Sequence, residues 1–289
     1  MAWKQWLRPT NGRVRGLVGC LLVGLFCIQC IPTGQRDRGN TLIAMDQSPD
    51  PKDAAEKLVH WAKTDHIALL KHCREHCIRQ VRDYTCTLVK QERIKGALGQ
   101  EQEVQVKFMN SPFSVAMKWV RNAPIANRML YVEGKFNNKM IVRPKSGLLR
   151  ILTGGSVFRD PEGADVRKNT LRPVTMFGFD RGMRELLKVY TAAKKAGDLE
   201  EKFGGYADVA GRKVLVLERY LPAKDDYPAR KTIICIDPEY LVPVYIEGFD
   251  WDDRLSSRYT YKDIRFNVDL TEDDFLPEAN GIETPKKKP

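Results

Sequence analysis

The sequence predicts an α+β fold: one large curved antiparallel sheet of about ten strands, with a long N-terminal helix and a second helix covering one side. Three observations carry this. Apolar residues recur at helical spacing only over residues 51–82 and 180–196, and most of what lies between and after them alternates with a period of two. The strand-like runs follow one another through short turns bearing Gly, Asn or Pro, the mark of hairpins rather than of parallel crossovers. The chain has 289 residues, 43% hydrophobic and 29% charged, ordinary values for a globular protein with a substantial core.

In chain order, a basic start (Lys4, Arg8, Arg13, Arg15) precedes an uncharged apolar run, Gly16 to Ile31. That run falls short of the roughly 20 residues a spanning helix needs. Residues 1–34 therefore read first as an export signal and second as an uncleaved membrane anchor. Either reading places the remainder outside the cytosol, in the periplasm or cell envelope and, on the second, anchored to the inner membrane. Residues 35–52 are polar and read as a flexible linker, 53–275 as a single domain, and 276–289, ending in Pro-Lys-Lys-Lys-Pro, as a disordered basic tail.

Within the domain, Leu58, Ala62, Leu69, Cys73 and Cys77 share one face of the first helix, which Asp50 or Asp53 can cap. After Asp83 the period becomes two. Val104, Val106 and Phe108 alternate with Gln105 and Lys107, and Phe113, Val115, Met117 and Trp119 alternate with Ser114, Ala116 and Lys118. Asn110-Ser111-Pro112 separates the two runs, so they form a half-buried antiparallel hairpin. Short strands are expected at Met129–Glu133, Lys139–Arg143 and Leu148–Leu152, then a loop from Thr153 to Pro173. A second helix follows over Asp180–Ala196, capped by Asp180 and ended by Gly197. Strands return at Tyr206–Ala210, Lys213–Arg219, Lys231–Asp237, Val242–Phe249 and Ser257–Phe266.

The formal charge of +11 favours anionic partners without choosing among them. An anionic membrane surface is the partner expected, and nucleic acid is not. His72-Cys73-Arg74-Glu75-His76 fits the H-x-x-E-H pattern of one class of zinc peptidases, but no second motif offers the third ligand that catalytic zinc requires. Leu-Thr-Gly-Gly-Ser-Val-Phe at 152–158 lacks the lysine of a phosphate loop, and no G-x-S-x-G elbow occurs. Acids cluster at Asp250, Asp252 and Asp253 and at Glu272–Asp274, as in solvated turns. The sequence therefore points away from an enzyme and calls for no metal and no cofactor.

Cys73, Cys77, Cys86 and Cys235 would lie in a compartment where disulfides persist. A strand leaving the turn at Arg82–Asp83 and running back along the helix rises about 3.3 Å per residue against about 1.5 Å in the helix. Cys86 then comes level with Arg74–Ile78, so a bond to Cys77 is favoured, with Cys73 as the alternative. Small buried free thiols are the other reading.

The stretch from Tyr84 to Asp274 also carries a family resemblance. "DYTCTLVKQERIKGALGQEQEVQVKF", "PFSVAMKWV", "MLYVEGKFNNKM", "GRKVLVLE", "ARKTIICIDPEYLVPVYIEGFDW" and "YTYKDIRFNVDLTEDDF" resemble a bacterial family of exported proteins known as domain of unknown function 1571. By general shape that family is similar to the lipoprotein-carrier fold of the LolA and LolB type. The resemblance implies a half-open antiparallel barrel with an apolar concave face under helices. In such a barrel Val104, Val106, Phe108, Phe113, Val115, Met117 and Trp119 would line a cavity for lipid or lipoprotein acyl chains. Lys90, Lys107, Lys118 and Arg143 would form a basic rim for headgroups. In a flat, covered sheet the same apolar residues are core and the cations are solvated. The expected function is a non-enzymatic envelope carrier of an apolar ligand, and the alternative is a structural or interaction protein with a filled core.

Overall fold

The computed structural model describes residues 51–153 and 155–285. The expected export signal, most of the linker, Cys20, Cys27, Cys30 and the last four residues lie outside them.

Two consecutive helices open the fold, α1 (Pro51–Thr64) and α2 (His66–Gln80). The sequence led us to expect one continuous helix. Asp65 divides it: its extended backbone leaves the helix, and its Oδ1 accepts from the Ala68 N–H at 3.0 Å, capping α2. The chain then enters β1 (Asp83–Ile94), β2 (Ala97–Leu98), β3 (Gln102–Met109), β4 (Ser114–Arg121), β5 (Ala126–Val132) and β6 (Met140–Pro144). Next come α3 (Gly147–Thr153), β7 (Val157–Arg159), α4 (Ala164–Arg167) and α5 (Phe179–Ala196). A second meander closes the chain: β8 (Glu200–Val209), β9 (Arg212–Tyr220), β10 (Lys231–Asp237), β11 (Val242–Phe249) and β12 (Leu255–Phe266).

All pairings are antiparallel, and the twelve-stranded sheet has the order β7-β6-β5-β4-β3-β1-β12-β11-β10-β9-β8, with β2 attached to β1. The two meanders thus walk outward from one seam, where β1 pairs with β12, and the sheet curves without closing. Helices α2 and α5 pack on each other and reach β11, while α1 lies over β8 and β9. Helix α5 ends as expected at Gly197, with φ +72°. Its start differs: Gly178, not Asp180, is the N-cap.

Leu148–Leu152 is helical rather than a strand. The run does not alternate, and β7 takes the place beside β6; Leu148, Ile151 and Leu152 are 67–78% exposed on α3. The C-terminal segment also departs from expectation. Beyond residue 275 the chain does not leave the fold: Ile282 is buried and joins Phe275 on the outer face of the sheet, against Met109, Leu130, Val132 and Ile141. Burying an aliphatic or aromatic side chain is worth about 1.5–3 kcal/mol, which ties this segment to the sheet.

Candidate functional site

Register defines the inner, helix-bearing face. Cys86 pairs with Val106 and Leu88 with Val104 across β1–β3. Across β3–β4, Val104 pairs with Trp119, Val106 with Met117 and Phe108 with Val115. Strand alternation therefore puts Val104, Val106, Phe108, Val115, Met117 and Trp119 on one face, and Phe113 joins their cluster. Five of the seven are buried, Val104 and Val115 completely; Met117 and Trp119 are half-buried. Trp119 directs Nε1 to Gln102 Oε1 at 2.8 Å.

Aromatic rings run along this face. Tyr131 meets Phe113, Phe113 meets Phe108, and Phe108 stacks on Tyr84 with centroids 4.7 Å apart. Tyr84 in turn meets Phe179 of α5 at 4.9 Å. The cover lies hard against the sheet at Gly178, where a Cβ would stand 2.8 Å from Phe108 Cε2. The Arg181 guanidinium lies 3.5 Å from the Phe113 ring centre. In this closed arrangement the apolar face is packed under α2, α5 and the segment leading into α5.

One edge of the same face is polar, which sequence reading missed. Glu201, Arg219, Thr232, Gly248, Ser257 and Glu92 are successive register partners across β8, β9, β10, β11, β12 and β1. Glu92 is buried and accepts from Tyr259 Oη at 2.7 Å and Lys90 Nζ at 2.9 Å, with the Thr170 hydroxyl at 3.2 Å. Arg219 is 2% exposed. The signal lay in "VLVLERY": Arg219 follows Leu215 and Leu217 at two-residue steps, so it faces where they face.

The four basic residues do not form one rim. Lys90 is on the inner face, two residues from Leu88. Lys107 and Lys118 alternate with inward residues and stand on the outer face, which follows directly from the pleat. There they line a groove of about 470 Å³ together with Arg128, Arg265 and Asn280. Lys107 Nζ donates to Asp274 O at 3.3 Å and Arg143 Nη1 to Gly281 O at 3.3 Å, so these cations hold the C-terminal segment.

The favoured Cys77–Cys86 disulfide, and its Cys73 alternative, are not formed: Cys73, Cys77, Cys86 and Cys235 are buried free thiols. Helix α2 packs chiefly on α5, with Cys77 beside Asp180, while Cys86 lies near Asp263. Burial pushes the Cys73 thiol up to about 12; burial and then the Asp180 charge do the same for Cys77. On the other side of α2, burial lowers His72 and His76 below their usual range, and the His72 ring packs 5.2 Å from Trp61. Among the described residues no three His, Cys, Asp or Glu side chains converge as metal ligands.

A family described as "Protein of unknown function (DUF1571)" matches residues 81–282. The chain belongs to that family. No curated protein matches it. Among solved structures it is similar to MucB in the Pseudomonas aeruginosa MucA/MucB complex, at 15% identity, 79% of this chain, 62% of that one and a TM-score of 0.40. Another MucB structure is likewise spanned over only 61% of its length. The lipoprotein LppX of Mycobacterium tuberculosis is 12% identical over 72% of this chain and 99% of that one, with a TM-score of 0.40. A LolA superfamily protein of Nitrosomonas europaea is 10% identical over 73% and 97%, with a TM-score of 0.30. These are likenesses of overall shape, and what those proteins bind remains theirs.

Proposed function

We propose that the protein is an exported, non-enzymatic carrier or binder in the cell envelope, and that its inner face receives an acyl chain of a lipid or lipoprotein. The observation that carries this reading is the unclosed twelve-stranded sheet. Its apolar, aromatic inner face is covered by separate helices and a linking segment rather than by a second sheet. A cover of that kind can shift to admit an alkyl chain, and each buried CH₂ contributes about 0.8 kcal/mol. Val104, Val106, Phe108, Phe113, Val115, Met117 and Trp119 would contact the chain.

The basic start and uncharged run before residue 32 support export, with residues 1–34 as signal or anchor and the domain beginning near residue 53. No helix among the described residues is long and apolar enough to cross a membrane. Exposed Leu148, Ile151 and Leu152 on α3 follow Lys145 in sequence, a combination suited to an anionic membrane surface. The test of the carrier reading is displacement of a fluorescent fatty acid from the purified protein by unlabelled dodecanoate. Saturable displacement supports it; no bound probe at micromolar protein rejects it.

The complete burial of Val104, Val115, Leu217 and Ile234 favours a second reading, an interaction protein with a permanently filled core. Rejection of every amphiphile offered would support it.

A further inference from the structure

Among the described residues the buried cation on β9 has no ion-pair partner. Arg219 Nη2 donates to Thr232 Oγ1 at 2.7 Å, but Nε and Nη1, equally shielded from solvent, meet no acceptor among the described residues. The guanidinium sits 5.0 Å from the ring centre of Tyr190 of α5, beneath the cover. Its register partner Glu201 sends a carboxylate oxygen to the His66 N–H instead, at 3.1 Å. Glu92, farther along the row, is already engaged by Tyr259, Lys90 and Thr170.

A second guanidinium stands close by. Arg172 stacks 4.7 Å from the Tyr259 ring centre, and its charge adds to burial in lowering the Arg219 pKa. Neither arginine takes part in an ion pair within the described residues. Arginine keeps its proton in proteins, and a buried, unpaired cation is strongly unfavourable.

The neighbouring rows are of the opposite character. Leu217, Ile234 and Ile246 pair in sequence across β9, β10 and β11 beside the polar row. That row runs on through Tyr259 to Lys90, and in the next row Tyr261, Leu88, Val104 and Trp119 are register partners across β12, β1, β3 and β4. The inner face is thus amphiphilic, with a cationic edge and an apolar floor.

We propose that Arg219, with Arg172, holds the oxyanion head of an amphiphile, a carboxylate or a phosphate, whose chain lies along the adjoining apolar rows. The position of the chain rests on the carrier reading above; the oxyanion site does not. Charge-assisted hydrogen bonds from a guanidinium suit both heads.

Two measurements on the purified protein separate these parts. In the first, melting is followed in acetate or phosphate against chloride at equal ionic strength. The wild type is expected to gain about 2–4 °C, Arg219→Met nothing, and Arg172→Gln less than the wild type. An equal response of wild type and Arg219→Met, or none in either, overturns the site and leaves ordered water as the partner of Arg219. In chloride, Arg219→Met is expected to melt no lower than the wild type, because it removes an unpaired charge. If Arg219→Met fails to fold, Arg172→Gln carries the test: an ion response equal to that of the wild type overturns the site, and a smaller one supports it.

The second measurement compares dodecanoate, dodecyl phosphate and dodecanol by calorimetric titration. The charged amphiphiles should bind at least about tenfold tighter than the alcohol, a preference that charge-assisted bonds readily supply. Arg219→Met should abolish that preference, and the tighter of the two charged probes identifies the head. Equal affinity for all three in the wild type refutes head recognition. If none binds while the ion response stands, the carrier reading falls and the oxyanion site remains.

Discussion

Replacing Gly178 by alanine tests how the cover is seated on the sheet. Gly178 has φ +95°, a region that costs an L-residue about 1–2 kcal/mol. The new Cβ would also stand 2.8 and 2.9 Å from Cε2 and Cζ of Phe108, inside contact distance. Phe108 cannot retreat freely, because it stacks on Tyr84 and meets Phe113 edge-on. Overpacking of that kind costs about 1–3 kcal/mol, so Gly178→Ala should destabilise by about 2–5 kcal/mol in all. At this size the loss lowers the melting temperature by about 4–20 °C. Urea unfolding of Gly178→Ala, Phe108→Leu and the double variant measures the coupling. The smaller leucine side chain should relieve part of the clash, leaving the double variant about 1 kcal/mol more stable than additivity predicts. If the cover moves to admit ligand, Gly178→Ala should also speed uptake of a fluorescent fatty acid. A loss below about 0.5 kcal/mol, the range of an ordinary surface change, would refute the close seating.

Three further outcomes follow from buried groups. Tyr84 is fully buried and its hydroxyl has no partner among the described residues; Tyr84→Phe should be neutral or stabilise by about 1 kcal/mol in urea, and a loss above that would show that the hydroxyl is bonded. His66 is 1% exposed, donates from Nε2 to Ala62 O at 2.9 Å, and is lowered by burial from the usual 6.5 to about 4. The unfolded chain therefore binds the extra proton between those values. This contribution, about 3 kcal/mol, is complete above pH 6.5 and disappears as pH falls toward 4. His66→Gln should flatten stability against pH in that window; an unchanged slope would contradict the neutral buried imidazole. Finally, thiol titration without reductant should find Cys73, Cys77, Cys86 and Cys235 free, unreactive while folded and reactive in denaturant. A mass that rises by about two hydrogens on reduction would restore the disulfide.

Much of the fold was legible because two-residue alternation is a direct consequence of the pleat. Residues 104–119 gave their hairpin and its buried face, and Gly197 gave the end of α5. Two features escaped because they depend on neighbours far along the chain. The seam between β1 and β12 joins residues such as Tyr84 and Phe266, which no local pattern connects. The packing of α2 on α5, which sets Cys77 beside Asp180, is likewise a tertiary outcome. Leu148–Leu152 is apolar but does not alternate and is rich in leucine, a good helix former, so it winds into α3 with Leu148, Ile151 and Leu152 exposed. Asp65 could have announced the helix break, since an aspartate three residues before an amide it can cap is a start signal. Arg219 was hidden by its type: arginine at a strand end reads as solvated, although its two-residue spacing from Leu217 placed it inward. The opposed faces of Lys90 and Lys107 were legible from the same alternation.

The central claim is that the inner face accepts one acyl chain with an acidic head. Native mass spectrometry of the mildly purified protein, before and after equimolar dodecanoate, tests this most directly. The account predicts a single one-to-one adduct that Arg219→Met weakens. A protein that stays at its polypeptide mass in both conditions would contradict it.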